Sequence, residues 1–331
     1  MRAAYYESRG AARDVLRIAD IPAENPGAGM VRVRVAASGV NPSDVKTRRG
    51  VGARPNPWRQ TIPHQDGSGV IDKVGSGVDA GRLGERVWLY ECQLNRPFGT
   101  AAEFVTVPDH LAVPLPDSVS FDVGASLGIP ALTAWYCIER LQLQPGHCVF
   151  VHGAVGAVGF YAAQMAGLVG AHVLASVTND AQASVAHSAG IQTVRRGQDL
   201  TSSAASWLQS HGRDGFDAIV DLDFAGNVAT NVAMAANGAH VVSYASDTEL
   251  HPSIPVRELM RRNLQISFIL VYTMPADMKQ RAIGALTHWL SEGVLHHPST
   301  YRYTLDDIAL AHEAVEARQH IGKVLVVPLD V

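Results

Sequence analysis

Residues 149–179, VFVHGAVGAVGFYAAQMAGLVGAHVLASVTN, decide the fold of this chain. They predict a buried strand, a turn with three evenly spaced glycines, a helix of small residues and a second buried strand. In such a βαβ unit Gly153 permits the tight turn, Gly156 lets a phosphate approach the backbone, and Gly159 lets helix and strand pack closely. We therefore expect a dinucleotide here, with helix amides facing its phosphates. The predicted contacts are Gly153, Ala154, Gly156, Ala157, Val158 and Gly159. The alternative is a glycine-rich turn without a cofactor.

The end of the second strand predicts which dinucleotide binds. NAD-binding folds usually place there a carboxylate that holds the ribose hydroxyls. The residues found instead are Ser176, Thr178 and Asn179. Asp180 lies just past the strand, and we expect it to cap the next helix. A strand end without an acid leaves room for a 2′-phosphate, which Arg195 and Arg196 could bind through charge-assisted hydrogen bonds. We therefore predict NADPH rather than NADH, the alternative being two solvated loop arginines.

The composition is that of a globular protein without nucleic-acid or membrane character. The 331 residues are 47% hydrophobic, enough for about two domains. A formal net charge of −4 disfavours nucleic acid as a partner. Cys92, Cys137 and Cys148 are too far apart for a disulfide framework or a metal knuckle. This charge balance predicts a cytoplasmic protein, and the start MRAAYYESRG, with no apolar stretch after its arginine, predicts no signal peptide.

Two patterns of secondary structure divide the chain. Residues 1–120 are rich in short strands, whereas residues 121–265 alternate helix and strand. This alternation predicts a parallel, doubly wound sheet with helices on both faces. Residues 266–331 are too short for a core of their own, so we expect them to return to the first domain. The predicted fold class is α/β, with a substrate site in the cleft between the domains.

Landmark segments follow one another along nearly the whole chain. They are GVNPSDVKTRRG (39–50), DGSGVIDKVGSGV (66–78), ERVW (85–88), GTAAEFVTVP (99–108), LGIPALTAWY (127–136), VHGAVGAVG (151–159) and IGKVLVVP (321–328). In letters, order and separation this set resembles the medium-chain dehydrogenase/reductase superfamily, specifically its zinc-free, zeta-crystallin-like quinone oxidoreductase branch. The resemblance implies a GroES-like β-rich domain, a Rossmann domain and a homodimer or homotetramer.

The resemblance also indicates that a metal site is missing. Zinc alcohol dehydrogenases of this superfamily bind zinc with a cysteine, a histidine that has an adjacent glutamate, and a second cysteine. The corresponding positions here are Asn41, Gln65, Asp66 and Ile129. His64 lies one residue before the ligand position, and we interpret it as a loop or packing histidine because zinc needs at least three protein ligands. Without a Lewis acid the acceptor must itself be electrophilic, as quinones and α,β-unsaturated carbonyls are.

Candidate active-site residues also follow from the resemblance. Asn41 would donate an amide hydrogen to the acceptor oxygen, and Thr133 would fix the nicotinamide ring. Lys46, where quinone reductases often carry a tyrosine, could supply charge or a proton. The alternatives are an Asn-Pro turn former, a helix-capping threonine and a solvated lysine. The remaining cofactor contacts would be Tyr244, Ala245, Ser246, Ile269, Leu270, Val271, Arg318 and Lys323. Their alternatives are packing at a sheet end and a solvated helix end.

Together these features predict an NADPH-dependent reductase of a small-molecule quinone or enone, with no nucleic-acid or membrane partner. The first alternative is an enoyl-thioester (acyl-CoA) reductase, which would need a basic groove for the CoA phosphates. That groove would be formed by Arg48, Arg49, Arg54 and Arg59. The second alternative is a non-catalytic NADPH sensor or structural protein.

Overall fold

The computed structural model describes residues 1–51 and 57–328. The strands are β1 (Arg2–Tyr5), β2 (Arg17–Asp20), β3 (Met30–Gly39), β4 (Asp66–Val74), β5 (Arg86–Leu89), β6 (Phe104–Pro108), β7 (Ala112–Pro114), β8 (Cys148–Val151), β9 (His172–Val177), β10 (Gln192–Arg195), β11 (Phe216–Asp221), β12 (Ala235–Ser243), β13 (Gln265–Phe268), β14 (Thr300–Thr304) and β15 (Lys323–Val327). The helices are α1 (Ala12–Val15), α2 (Pro42–Arg49), α3 (Phe121–Gly124), α4 (Gly128–Leu141), α5 (Ala157–Leu168), α6 (Asp180–Ser188), α7 (Leu200–Ser210), α8 (Phe224–Met234), α9 (Val256–Arg261), α10 (Ala276–Glu292) and α11 (Ile308–Glu316). None of the helices in these two ranges is long and apolar enough to cross a membrane.

The chain forms two compact units. The first comprises Met1–Ile129 and Ile283–Val331, and the second comprises Pro130–Ala282. These boundaries lie later along the chain than the expected ones at residues 120 and 265. Helix α3 packs on strands β3, β4 and β5, which keeps it with the first unit. Strand β13 pairs with β12, which keeps it with the second.

The first unit is built on a β-rich sheet that the C-terminal segment joins. The strand order is β14-β15-β3-β4-β5-β7, and β6 also pairs with β3. In the middle of strand β3, Val33 and Val35 are fully buried while Arg34 between them is exposed, as in a half-buried strand. Strand β15 pairs antiparallel with β3. The returning segment therefore shares the first unit's core, as the GroES-like prediction requires.

The second unit is a parallel sheet of the predicted doubly wound kind. Its strand order is β10-β9-β8-β11-β12-β13, and every neighbouring pair is parallel. The chain enters at β8 in the middle, runs outward to β10, and then crosses to β11 on the other side. In sheets of this order ligands bind outside the carboxyl ends of the strands, where the order reverses. That point lies between β8 and β11.

Candidate functional site

The glycine turn between β8 and α5 has the geometry that its sequence predicts. Gly153 has a φ of +74°, in the left-handed region that disfavours side chains. A Cβ added to Gly159 would lie 2.2 Å from the carbonyl oxygen of Gly153, so helix and turn pack too closely for any side chain there. Gly156 differs, because its added Cβ would meet nothing closer than that same oxygen at 3.5 Å. Space is therefore open at the start of α5, where a phosphate would approach.

Residues at the end of β9 anchor this turn and start the next helix. The buried Ser176 accepts a hydrogen bond from the Gly153 amide at its Oγ (3.0 Å) and from the Ala154 amide at its carbonyl (2.9 Å). Asn179 caps α6 by accepting from the Gln182 amide at 2.9 Å. The prediction that Asp180 is this cap was wrong by one residue, since Asp180 is the first residue of the helix. Both Asn179 and the neighbouring Thr178 are exposed at the strand end.

The two arginines at the end of β10 have side chains that bond to different parts of the sheet edge. Arg195 Nη2 lies 3.6 Å from the Oδ1 atom of the exposed Asp180, so it stays beside the end of β9. Arg196 donates its backbone amide to the Val177 carbonyl (2.7 Å) and its Nη2 to Oδ1 of Asn227 (2.9 Å). Asn227 belongs to α8, which follows β11. The guanidinium of Arg196 is therefore not beside that of Arg195.

Sequence reasoning missed a buried polar network at the carboxyl end of β11. The fully buried Asp221 accepts from Nδ2 of Asn227 (2.8 Å) at one oxygen and from Nδ2 of Asn231 (2.9 Å) at the other. Oδ1 of Asn231 lies 2.7 Å from Nε2 of His152, the residue before the glycine turn. The available signal was the spacing of the two asparagines, four residues apart on one helix face after a strand that ends in aspartate.

The other predicted contacts of the second unit lie along the same sheet edge. Those that follow β12 and β13 are Tyr244, Ala245, Ser246, Ile269, Leu270 and Val271. The carbonyl of Ala245 accepts from the Phe224 amide at 3.0 Å, which ties this segment to the start of α8. Thr133 is buried inside α4, which begins at Gly128, so the alternative of a helix-capping threonine is wrong. The proposed nicotinamide contacts stay predictions.

In the first unit, Asn41 lies in a buried cluster of polar side chains. Its Nδ2 donates to Oδ2 of Asp66 at 2.7 Å, and its Oδ1 accepts from Nζ of Lys323 at 2.5 Å. The other Asp66 oxygen accepts from the Ile129 amide at 2.9 Å, and Asp44 Oδ2 accepts from the Asn41 amide at 2.8 Å. Asn41 is only 2% exposed. Its side chain therefore links neighbouring elements, and its predicted contact with an acceptor oxygen stays a prediction.

Burial and mutual charge interactions shift the pKa values of the ionisable groups in this cluster. Burial raises the pKa of Asp66, against the opposing effect of Lys323, and burial together with the charge of Asp66 raises the pKa of Asp44 to about 7. Burial lowers the pKa of Lys323, again opposed by Asp66. The prediction that Lys323 approaches cofactor phosphates does not fit this placement, because its ammonium is enclosed between Asn41 and Asp66. Arg318, by contrast, is exposed.

His64 is buried against a second histidine that sequence reasoning missed. Its Nδ1 lies 2.7 Å from Oγ of Ser38, and its Nε2 lies 2.9 Å from Nε2 of His312 on α11. The two rings stack with centroids 5.0 Å apart. Burial lowers the pKa of His64 well below its ordinary value and lowers the pKa of His312 to about 3. This placement matches the interpretation of His64 as a packing histidine.

Among the basic residues expected to form a groove for a CoA thioester, Arg48 is not available to a ligand. Arg48 is fully buried and paired with Glu316, so its predicted place at an open mouth was wrong. Arg49 and Arg59 are exposed. Arg54 lies outside the described residues. Lys46 is partly buried on α2, and its role in chemistry stays a prediction.

Two family models match the chain in order. Residues 27–117 match the alcohol dehydrogenase GroES-like domain, and residues 190–326 match a family described as zinc-binding dehydrogenase. The second description raises the question of a metal. Within residues 1–51 and 57–328, no group of three or more His, Cys, Asp or Glu side chains could hold a metal ion. Asp66, the one acidic residue at the relevant positions, is already bonded to two side chains and an amide. The donor set therefore does not fit zinc.

Proteins of known name are similar to this chain over nearly its whole length. The quinone oxidoreductase of Rattus norvegicus is 27% identical over 321 residues, covering 94% of this chain and 93% of the relative. A solved NAD-dependent alcohol dehydrogenase is 28% identical, with a TM-score of 0.89 over 99% of this chain and 100% of its own. The quinone oxidoreductase of Thermus thermophilus, solved also with NADPH, is 26% identical, with a TM-score of 0.83 over 99% of this chain and 100% of its own. The chain belongs to the medium-chain dehydrogenase/reductase superfamily, as an oxidoreductase similar to its quinone oxidoreductases.

Proposed function

We propose that this protein is a zinc-independent, NADPH-dependent reductase that transfers hydride to a quinone or another activated α,β-unsaturated carbonyl compound. The observation that carries the proposal is the glycine turn at the sheet's reversal point, fixed by Ser176 and open at the start of α5. A turn with these features supplies helix amides to a dinucleotide phosphate. The full-length similarity to quinone oxidoreductases supports the class of acceptor.

The preference for NADPH rests on the end of β9. The residues there are small or polar, and the nearest acid, Asp180, lies past the strand with its carboxylate beside Arg195. A 2′-phosphate would meet a cation at this place, whereas a 2′-hydroxyl would find no carboxylate acceptor on the strand. The similar solved proteins comprise an NAD-dependent alcohol dehydrogenase and a quinone oxidoreductase in complex with NADPH, and binding of NADH and NADPH measured in parallel tests the preference.

The choice of acceptor follows from what the protein's own side chains can offer. NADPH supplies the hydride when it is bound. The cluster around Asn41 has no metal donor set, and the cation within it, Lys323, is bonded to Asn41 and Asp66. Negative charge that develops on an acceptor oxygen must therefore be spread by conjugation within the acceptor itself. Solvent or Lys46 would supply the proton, and Thr133 would orient the nicotinamide.

An acceptor screen tests this function. Consumption of the reduced cofactor is followed by absorbance with a quinone, an enone, an enoyl thioester and no acceptor, using NADPH and NADH in parallel. We expect saturable loss of NADPH with the quinone or enone, and the same rate after incubation with a chelator. A requirement for the thioester would favour the enoyl reductase alternative. Binding of NADPH without consumption in any arm would favour the sensor.

We also propose that the protein is a homodimer or a homotetramer. Within the described residues, β13 pairs with β12 on one side and has no strand on its other side. Exposed apolar side chains lie close by in the sequence, with Met260 at 73% and Phe268 at 67% exposure. Apolar side chains at an unpaired strand edge suit pairing with a second copy. Light scattering of the purified protein measures the assembly, and a monomer at micromolar concentration would refute this proposal. The cytoplasmic location stays a prediction.

A further inference from the structure

Arg196 connects the two strands that flank β8, the strand that leads into the glycine turn. Its backbone amide is bonded to the last residue of β9, and its guanidinium is bonded to Asn227 beyond β11. Strand β8 lies between β9 and β11 in the sheet. Burial, together with the charge of Arg196, lowers the pKa of His152, the residue that joins β8 to the glycine turn, so the guanidinium lies near the carboxyl end of β8. The guanidinium therefore reaches the region that faces the turn.

The side-chain amide of Asn227, which accepts the hydrogen bond from Arg196, has a fixed orientation. Asn227 is 2% exposed, and its Nδ2 donates to the buried Asp221 at 2.8 Å. A carboxylate only accepts hydrogen bonds, so the amide of Asn227 must turn its oxygen toward Arg196. Asp221 is itself held on its second oxygen by Asn231. Arg196 thus meets a rigid acceptor that uses one of its five N–H donors and leaves others for a ligand.

We propose that Arg196 binds the pyrophosphate of the dinucleotide rather than its 2′-phosphate, and that Asn227 is the positioning residue that holds it there. This inference rests on the proposed function and assigns separate tasks to the two neighbouring arginines. In dinucleotide folds the pyrophosphate lies at the turn after the first strand, and the 2′-position of the ribose lies at the end of the second. Arg196 reaches over the first of these places. Arg195, beside Asp180, stays at the second.

Binding of NADPH and NADH to matched variants separates these tasks. The variants are Arg196→Met and Arg195→Met, both at exposed positions. Loss of a hydrogen bond to a charged group predicts at least about tenfold weaker binding. We expect Arg196→Met to weaken NADPH and NADH by the same factor, because both carry the pyrophosphate. Arg195→Met should weaken NADPH alone. Dissociation constants come from titration of the reduced nicotinamide's fluorescence.

A double-mutant cycle tests the role of Asn227. If Asn227 acts through Arg196, Asn227→Ala should weaken both cofactors, and adding Arg196→Met should weaken them little further. A merely structural Asn227 would lower the melting temperature and give additive losses. Because Asn227 is buried, thermal unfolding of its variant is measured first. If that variant does not fold, the exposed arginine variants decide alone.

The possible outcomes separate a failure of this assignment from a failure of the proposed function. Equal losses for both cofactors in Arg196→Met, with a selective loss in Arg195→Met, support the assignment. A loss confined to NADPH in Arg196→Met, or no loss, overturns it and leaves the proposed function standing. A wild-type protein that binds neither cofactor overturns both.

Discussion

Replacing His312 by glutamine should change how stability depends on pH. His312 is fully buried against His64, and its pKa is lowered from 6.5 to about 3 by burial and by the charge of Arg48. In the folded protein it therefore stays neutral over most of the acidic range. In the unfolded chain it takes up a proton as the pH falls through about 6.5. Acid therefore favours the unfolded state through this residue, and the glutamine variant lacks that effect.

The size of the effect follows from the two pKa values. One unit of difference is worth about 1.4 kcal/mol, so at about pH 5 the proton on unfolded His312 costs the wild type about 2 kcal/mol of unfolding free energy. The difference should grow until about pH 3, where the folded-state imidazole also binds a proton. Asp44, whose pKa is raised to about 7, has the opposite sign, because its folded form gains a proton first and adds stability as the pH falls. Asp44 is present in both proteins, so its contribution cancels in the comparison.

Urea unfolding at about pH 7.5 and about pH 5 measures this difference. His312→Gln will lose some stability at both values through altered packing. Relative to the wild type, the variant's free energy of unfolding should be about 2 kcal/mol more favourable at the lower pH than at the higher pH. The control is His251→Gln at an exposed position, for which we expect no such shift. Parallel pH profiles for wild type and His312→Gln would refute the conclusion that the folded protein keeps this imidazole neutral.

Two further substitutions, each with a companion variant, test the packing of the second unit and the buried ion pair of the first. Gly159→Ala places a methyl group 2.2 Å from the Gly153 carbonyl and should cost about 1–3 kcal/mol, together with weaker dinucleotide binding. Gly167→Ala in the same helix meets no atom within 4 Å and should leave thermal unfolding and binding unchanged or slightly improved. Lys323→Met leaves Asp66 buried without its cation and should cost about 3–5 kcal/mol in urea unfolding. Adding Asp66→Asn to that variant should recover much of the loss, and an equally unstable double variant would show that the ion pair is not the cause.

The sequence predicted the parts of the fold that depend on local pattern. The three glycines of the turn, the parallel alternation and the strand end at Ser176 are all properties of short segments. Their positions along one sheet edge then followed from the rule that parallel strands end on the same side. The strand β13 was not assigned to this sheet, because its short apolar run does not show which strand it pairs with.

What the sequence did not reveal are contacts between residues far apart in the chain. Lys323 bonds to Asn41 across 282 positions, and His312 bonds to His64 across 248. No periodicity connects such residues, and a lysine in a segment that follows a helix is ordinarily interpreted as solvated. Arg195 and Arg196 show the converse difficulty. The two residues are adjacent in the chain and were both predicted to bind the 2′-phosphate. In the structure, Arg195 lies beside Asp180 after β9, whereas Arg196 bonds to Asn227 after β11.

The buried cluster around Asn41 connects the missing metal set with the class of acceptor. An amide, a carboxylate and an ammonium bond to one another there, and the sequence resemblance matches two of these residues, Asn41 and Asp66, to zinc-site positions of alcohol dehydrogenases. A closed set of this kind has little capacity left to stabilise new charge, because its single cation is balanced by Asp66 at 3.5 Å. Rebuilding it as a metal site would require breaking buried hydrogen bonds, which is costly in a dry interior. Under the proposed function, the acceptor itself therefore has to be electron-poor, and a conjugated carbonyl compound meets this need better than a simple ketone.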